Sequence, residues 1–267
     1  MSQETKEFET TYDKVKASFG PNAHGYTISK GHADTEGLAK LVARVGTQPT
    51  DRVLDIGTGA GHTAIAFAPY VASVVALDLT PQMLEEVQHN AAAKGIINIE
   101  LKQGAAEALP FGDNEFEIVT CRLTTHHFAN LPQAMREMSR VLKPGGKLLI
   151  ADTSVPVEAE LDRQINEIEI LRDPSHVRNY SEAEWRTLIE QEAQLTVLEV
   201  EAGYYDEGRK MDFDNWTQRI GTPASDVARL QQLFRQASPA LREVLQIELA
   251  GDKIAFALPR ITVIAQK

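Results

Sequence analysis

One run of residues constrains this chain more than any other: Val53-Leu54-Asp55-Ile56-Gly57-Thr58-Gly59-Ala60-Gly61-His62. Residues 52–56 read as a short buried strand. Three glycines at alternate positions then break it, and a helix opens near Gly61. Glycine reaches positive φ without strain and has no Cβ, so the turn can be tight and can press its backbone against a ligand. A strand, a glycine turn and a helix N-terminus together make a nucleotide cradle, which in open α/β sheets lies beyond the carboxyl ends of the strands.

Two details bear on which nucleotide. A dinucleotide turn is spaced G-x-G-x-x-G and faces a pyrophosphate. Here the spacing is Gly57-x-Gly59-x-Gly61, and His62 stands where the third glycine would fall. A second strand, 73–77, runs into Asp78, about 20 residues after the turn, where an acid can accept both hydroxyls of a ribose. A ribose acceptor without diphosphate spacing suggests a nucleoside cofactor lacking phosphates, of which S-adenosylmethionine is the commonest. An NAD-linked oxidoreductase is the alternative enzyme. A generic tight turn followed by a surface Asp is the plainest reading.

The rest of the chain supports an α/β fold. After the cradle, helix and strand patterns alternate: strands near 98–103, 116–121 and 147–151, and helices after Thr80-Pro81 and over 131–142, the latter stopped by Lys143-Pro144-Gly145-Gly146. That rhythm predicts a doubly wound, Rossmann-like parallel sheet. Beyond Asp152 it changes to a charged helix over 157–171, a polar turn at 172–178, a capping box at Ser181-Glu182-Ala183-Glu184, a strand at 195–202 and helices over 224–237 and 239–245. Residues 204–219 show no clear period. A last β-rich run, 254–265, contains Pro259, which favours an edge position or a bulge near its start. Residues 1–50 look helical. Phe8, Tyr12, Val15 and Phe19 share one helix face, and the break at 19–25 precedes Tyr26 and His32. Core packing is the bland role for these aromatics; a lid hinged at the break is the sharper one. The expectation is one domain in three parts: a lid (1–50), a cofactor-binding core (51–152), and insertions with the last strands (153–267).

Composition excludes some classes. Net charge is −11, which disfavours nucleic acid as a partner, since phosphate contacts need Lys and Arg. The single cysteine, Cys121, permits no intrachain disulfide, no apolar run suits a membrane span, and the N-terminus lacks a signal core. A cytoplasmic protein acting on a small molecule is the default. The helices of 224–245 have two roles open to them, covering the site or meeting a second copy in a homodimer.

These residues resemble a family. Val53 to Gly61 is similar to the first motif of class I S-adenosylmethionine-dependent methyltransferases. Ala106-Glu107-Ala108-Leu109-Pro110-Phe111 resembles their signature after the third strand. His126-His127-Phe128, Arg140-Val141-Leu142-Lys143-Pro144-Gly145-Gly146 and Asp152 resemble later blocks of the ubiquinone/menaquinone C-methyltransferase-like branch, methyltransferase type 11. The segments 172–178 and 216–223 resemble a small bacterial subgroup of uncharacterised methyltransferases. The resemblance implies a seven-stranded sheet, mostly parallel with an antiparallel last strand, and helical insertions covering the active site. It assigns the first motif (Asp55, Gly57, Thr58, Gly59, Gly61, with His62) to the cofactor: the backbone of Gly57 and Gly59 to its methionine and ribose parts, and Asp78 to the ribose hydroxyls. Leu79 and Met83 would pack on adenine, and the backbone of Ala106 and Glu107 would meet its edge. Arg122 and Leu123 would flank the sulfonium and the substrate. The family usually has an acid two residues before the Glu of the third-strand signature; Ala105 stands there. A noncatalytic S-adenosylmethionine-binding protein is the reading that departure leaves open.

Methyl transfer to carbon or oxygen needs approach geometry, water exclusion and, for some acceptors, a general base. His126 and His127 follow the fourth strand and titrate near neutrality. Each is a candidate base or a structural anchor of the loop. In a strand they would point to opposite faces, and no metal-ligand spacing accompanies them. Arg122 sits beside them, with an ion pair to Glu117 as its plain role. Tyr26, His32, His127, His176 and Arg178 are candidate acceptor contacts; for His176 and Arg178 the alternative is helix capping.

Overall fold

A computed structural model describes residues 3–27, 33–204 and 210–267. The helices are α1 (Gln3–Phe19), α2 (Ala23–Thr27) and α3 (Thr35–Val45); then come β1 (Arg52–Ile56), α4 (His62–Phe67), β2 (Ser73–Asp78), α5 (Pro81–Ala93), β3 (Ile99–Gln103) and β4 (Phe116–Arg122). A 3₁₀ turn, Thr125–His127, leads into α6 (Leu131–Val141) and β5 (Leu142–Thr153). Then follow α7 (Ala159–Arg172), α8 (Glu182–Thr187), β6 (Thr196–Tyr204), β7 (Met211–Asp212), α9 (Phe213–Ile220), α10 (Ala224–Arg235), α11 (Pro239–Val244), β8 (Glu248–Ala250), β9 (Lys253–Phe256) and β10 (Pro259–Gln266).

The main sheet has seven strands in the order β3-β2-β1-β4-β5-β10-β6. The pairs of β1, β2, β3, β4 and β5 are parallel, and β10 runs antiparallel to both neighbours. Successive side chains of a strand face opposite sides, and both sides are apolar here. Val53, Val74, Ala76, Ile118 and Leu149 pack with Leu41, Val45, Phe67 and Val87 of α3, α4 and α5. Leu54, Val75, Leu77, Val119, Leu148 and Ile150 pack with Met135 and Met138 of α6 and with Trp185. Cys121 belongs to this second core; burial pushes its thiol up, so it behaves as a small hydrophobe. The capping box at Ser181 forms, Ser181 Oγ accepting from Glu184 N while the Glu184 carboxylate takes Ser181 N.

Four features depart from the sequence expectations. Pro259 lies neither on an edge nor at a bulge: it is the first residue of β10, an interior strand, where a missing N–H costs no interior ladder bond. The register shift of β10 comes later, at Ile264/Ala265. The aperiodic stretch before residue 220 contains α9, whose N-cap Asp212 accepts from Asn215 N at 2.9 Å. β7, β9 and β8 form a separate three-stranded sheet. It shares a third core, with Phe213, Trp216, Phe234 and Phe256 among its members, with α7, α9, α10 and α11.

Candidate active site

β1 delivers the chain to the glycine turn at the carboxyl edge of the sheet. Gly57, Gly59 and Gly61 all have positive φ, at 61°, 54° and 84°. A Cβ on Gly57 would lie 2.3 Å from Thr124 Oγ1, so the turn and the loop after β4 touch through a missing side chain. A Cβ on Gly59 would meet nothing within 4 Å, so its backbone faces open space. Gly61 packs on Val87 of α5 and lines no part of the cavity described below. Asp55 likewise lies beneath the turn. Its carboxylate accepts from Thr58 Oγ1 (2.6 Å), Thr120 Oγ1 (2.7 Å) and Ala64 N (3.2 Å). Asp55 and Gly61, both assigned to the cofactor from the motif, thus shape the turn from behind.

Asp78 ends β2 facing that turn. Its Oδ2 accepts from Gly59 N at 2.8 Å and its Oδ1 from Thr80 N at 2.9 Å. A carboxylate has further lone pairs for hydroxyl donors. Burial pushes its pKa up to about 6, against the opposing pull of those two N–H bonds. Thr80 holds the N-cap position of α5, but its side chain makes no capping bond.

A cavity runs along this edge. Its lining includes Gly57, Thr58, Gly59, His62, Asp78, Leu79, Met83, Ala106, Glu107, Arg122 and Leu123, which the sequence motifs had grouped, and Ala105. Leu123 takes φ 56°, unusual for a branched side chain, and donates its N–H to Ala151 O at 2.9 Å. Arg122 Nε donates to Thr63 Oγ1 at 3.1 Å. Glu117, the expected ion-pair partner of Arg122, lies at the other end of β4 and binds Lys143 instead. Glu107 is 3 % exposed and its carboxylate is engaged: Tyr12 Oη donates to Oε2 at 2.9 Å and Asn130 N to Oε1 at 3.2 Å. Its carbonyl accepts from Gln133 Nε2 at 2.8 Å.

The N-terminal helices close the opposite wall. Tyr12, Val15, Phe19 and Tyr26 line the cavity. His62 Nε2 meets Tyr26 O at 3.1 Å, which ties α2 to the start of α4. Tyr12, Val15 and Phe19 went unassigned as site residues in the sequence, although their spacing marked the face that carries them. His32 lies outside the described residues.

The two adjacent histidines are not on opposite faces of a strand. They occupy the 3₁₀ turn after β4, with ring centroids 4.2 Å apart. Asp152, buried at the end of β5, holds that turn: Oδ2 accepts from Thr125 N at 2.8 Å, and Oδ1 meets His126 Nδ1 at 2.7 Å. Burial opposes charge on Asp152, but His126 and hydrogen bonds from Thr125 and Thr153 outweigh it and hold the carboxyl well below the usual range. His126 therefore stands behind the cavity wall and His127 stands in it. His127 Nδ1 is 3.1 Å from Ser175 O, and its ring meets Phe19 edge-on at 4.9 Å. Burial, then the neighbouring His126, pushes its pKa down to about 4, so it is neutral at pH 7.

His176 and Arg178 do not reach the cavity. His176 is buried behind the other two rings, its Nε2 3.1 Å from Asn166 Oδ1, and burial holds it well below the ordinary imidazole value. The Arg178 guanidinium turns to Asp162 (2.9 Å) and Glu184 (2.7 Å). What this segment gives the site is backbone: the N–H groups of Val177 and Arg178 donate to His126 O at 2.8 and 3.2 Å and clamp the histidine turn. Neither α10 nor α11 lines the cavity. Among the described residues no His, Cys, Asp and Glu side chains are grouped to hold a metal ion, and no helix is long and apolar enough to cross a membrane.

Comparison with known proteins adds to this geometry. Residues 54–150 match a family model described as a methyltransferase domain. The chain is 38% identical over 247 residues to the uncharacterized methyltransferase YcgJ of Bacillus subtilis strain 168, covering 92% of this chain and 96% of that protein. The crystal structure of YcgJ aligns with a TM-score of 0.82 at 37% identity, over 87% of this chain and 98% of that one. The ubiquinone/menaquinone biosynthesis C-methyltransferase UbiE of Francisella philomiragia is 37% identical over 132 residues, covering 48% of this chain and 53% of that protein.

Proposed function

The chain belongs to the S-adenosylmethionine-dependent methyltransferase family, and from that premise we propose that it methylates a small molecule at carbon or oxygen inside the cavity described above. The observation that carries the reading is the cavity's two-ended wall. One end offers an open backbone at Gly59 beside a buried carboxylate, Asp78, with Leu79, Met83 and Ala106 as an apolar slot. That set fits a nucleoside: hydroxyls for Asp78, an adenine ring for the slot, and the turn for the methionine part. The other end offers Phe19, Tyr26, Phe128 and His127 for an acceptor, with Arg122 and Leu123 between the two ends. The aromatic lining favours a small, partly apolar acceptor.

The cofactor would supply an activated methyl group on a sulfonium. This chain's residues would orient the acceptor, exclude water and take up a proton. His127 is neutral at working pH and in the wall, so it is the proposed proton acceptor, while His126 and Asp152 hold its turn. The three-part division, with 1–50 as lid, 51–152 as cofactor core and 153–267 as cover, belongs to the same proposal. The similarity to UbiE, a C-methyltransferase, supports carbon as the acceptor atom. Ala105 and the engaged Glu107 carboxylate favour a second reading, in which the cofactor is bound without turnover.

Calorimetry with S-adenosylhomocysteine tests the binding half: absence of binding at about 1 mM would sink both readings. Transfer of a tritiated methyl group into metabolite extracts separates them, since a catalyst labels a metabolite and a binder labels none.

A further inference from the structure

Asp173 lies where three parts of the chain meet and is 1 % exposed. Its Oδ1 accepts from Ser175 N (2.9 Å), Ser175 Oγ (2.6 Å) and Ser18 Oγ of the N-terminal helix (3.1 Å). Ser175 in turn faces His127: the imidazole Nδ1 is 3.1 Å from its carbonyl oxygen and 3.2 Å from its hydroxyl. A hydroxyl has one proton, and an ionised carboxylate only accepts. The short bond commits the Ser175 proton to Asp173, which leaves Ser175 Oγ facing Nδ1 as an acceptor. The carbonyl is an acceptor as well. Two acceptors against one ring nitrogen require that nitrogen to carry the proton. The other nitrogen, Nε2, is then left with a bare lone pair on a ring that lines the cavity.

We infer that Asp173 is a positioning residue for methyl transfer, which through Ser175 keeps the His127 proton on Nδ1 and so leaves Nε2 as the hydrogen-bond acceptor for the incoming nucleophile. The role given to Nε2 rests on the function proposed above; the location of the proton does not. Asp152 cannot replace Asp173 here, because it bonds His126, whose ring is outside the wall. Asp173 also takes Ser175 N, which aims the Ser175 carbonyl at the ring, so losing the carboxylate loosens both acceptors at once. Ser18 ties the same oxygen to α1, which places the N-terminal helix in contact with the residue that orients the base.

The test is a long-range proton–nitrogen NMR correlation of the histidine rings in the full chain with S-adenosylhomocysteine. The His127 signals are assigned by their loss in His127→Gln. The wild type is expected to show His127 protonated at Nδ1 and bare at Nε2 at pH 7. Asp173→Ala is expected to shift the Nε2 resonance toward its protonated position as a second tautomer appears. Asp173→Asn retains an acceptor oxygen for Ser175 and is expected to restore the wild-type pattern, a rescue that a merely structural role would not produce. If Asp173→Ala does not fold, the wild type and Asp173→Asn still carry the test, because Nε2–H in the wild type overturns the inference by itself. A wild-type His127 protonated at Nε2, or an unchanged Nδ1–H signal in folded Asp173→Ala, overturns the inference. Calorimetry on the same samples reads the function separately. No cofactor binding alongside an Nδ1–H ring overturns the proposed function and with it the role of Nε2. Binding alongside an Nε2–H ring overturns only the inference about Asp173.

Discussion

The two ends of the cavity are built differently. The end proposed for the cofactor is made largely of backbone and comes from short local motifs: the turn at 57–61, Asp78 at the next strand end, and Ala105 to Glu107 after the third. The end proposed for the acceptor is made of side chains from remote segments. Phe19 and Tyr26 come from the N-terminal helices and His127 from the turn after β4, and Ser175, from the segment after α7, faces the His127 ring. A backbone site depends on which residues lack a side chain. A side-chain site depends on which distant segments meet. The first is robust to changes elsewhere; the second can be retuned by substitutions far apart in sequence.

The largest expected effect is at the acceptor end. His127→Gln should lower methyl transfer about 10²–10⁴-fold, as for loss of a general base, while S-adenosylhomocysteine affinity stays within about threefold, since no proposed cofactor contact is removed. A parallel collapse of binding would mean that the two ends are not separable. Next come the glycines. Gly57→Val puts a branched side chain on Thr124 at positive φ and should cost about 3 kcal/mol of stability, read by thermal melting. Gly59→Ala, with open space around its Cβ, should cost only about 1–2 kcal/mol of backbone strain, and its loss should appear chiefly in cofactor binding. Equal melting shifts for the two would refute the division between a packing glycine and a ligand-facing one.

Asp78→Asn should weaken S-adenosylhomocysteine binding about tenfold to a hundredfold, the range for hydrogen bonds to a charged group. The pH dependence sharpens this. The Asp78 pKa is pushed up to about 6, so its carboxylate protonates as pH falls through that value. Wild-type affinity should then be full above about 6 and decline below it, whereas Asp78→Asn should lack that step in calorimetric titrations at several pH values. Tyr12→Phe removes one bond between α1 and Glu107 and should cost about 1 kcal/mol in chemical denaturation. The smallest effect is at Arg178. Its guanidinium sits in surface ion pairs, worth about 0–1 kcal/mol, so Arg178→Ala should change methyl transfer by no more than about twofold. A larger loss would return Arg178 to the acceptor site.

The legible part of the site follows the same division. The strand–turn–helix pattern, the His62 substitution in the glycine spacing and the acid ending β2 are all local in sequence, and the alternation of elements carried the parallel sheet. Asp55 and Gly61 were legible as parts of the motif but not as parts of its underside, because a motif does not say which of its side chains face inward. Pro259 showed why strand order matters: the residue type restricted the position within a strand, while the pairing of β10 between β5 and β6 depended on the whole sheet.

What the sequence by itself determined is the local geometry of the half proposed for the cofactor: turn conformation and the strand-end acid are set by near neighbours, and backbone sterics act over a few residues. Only the tertiary structure decided the half proposed for the acceptor. It put His127 in the wall and His126 behind it, turned Arg178 outward, left Tyr12 bonded to Glu107, and brought Ser18, Asp173 and Ser175 to one imidazole. The physical reason is that these bonds, the local one between Asp173 and Ser175 aside, join segments tens to more than a hundred residues apart, and no local preference of any one segment specifies which partner it will meet.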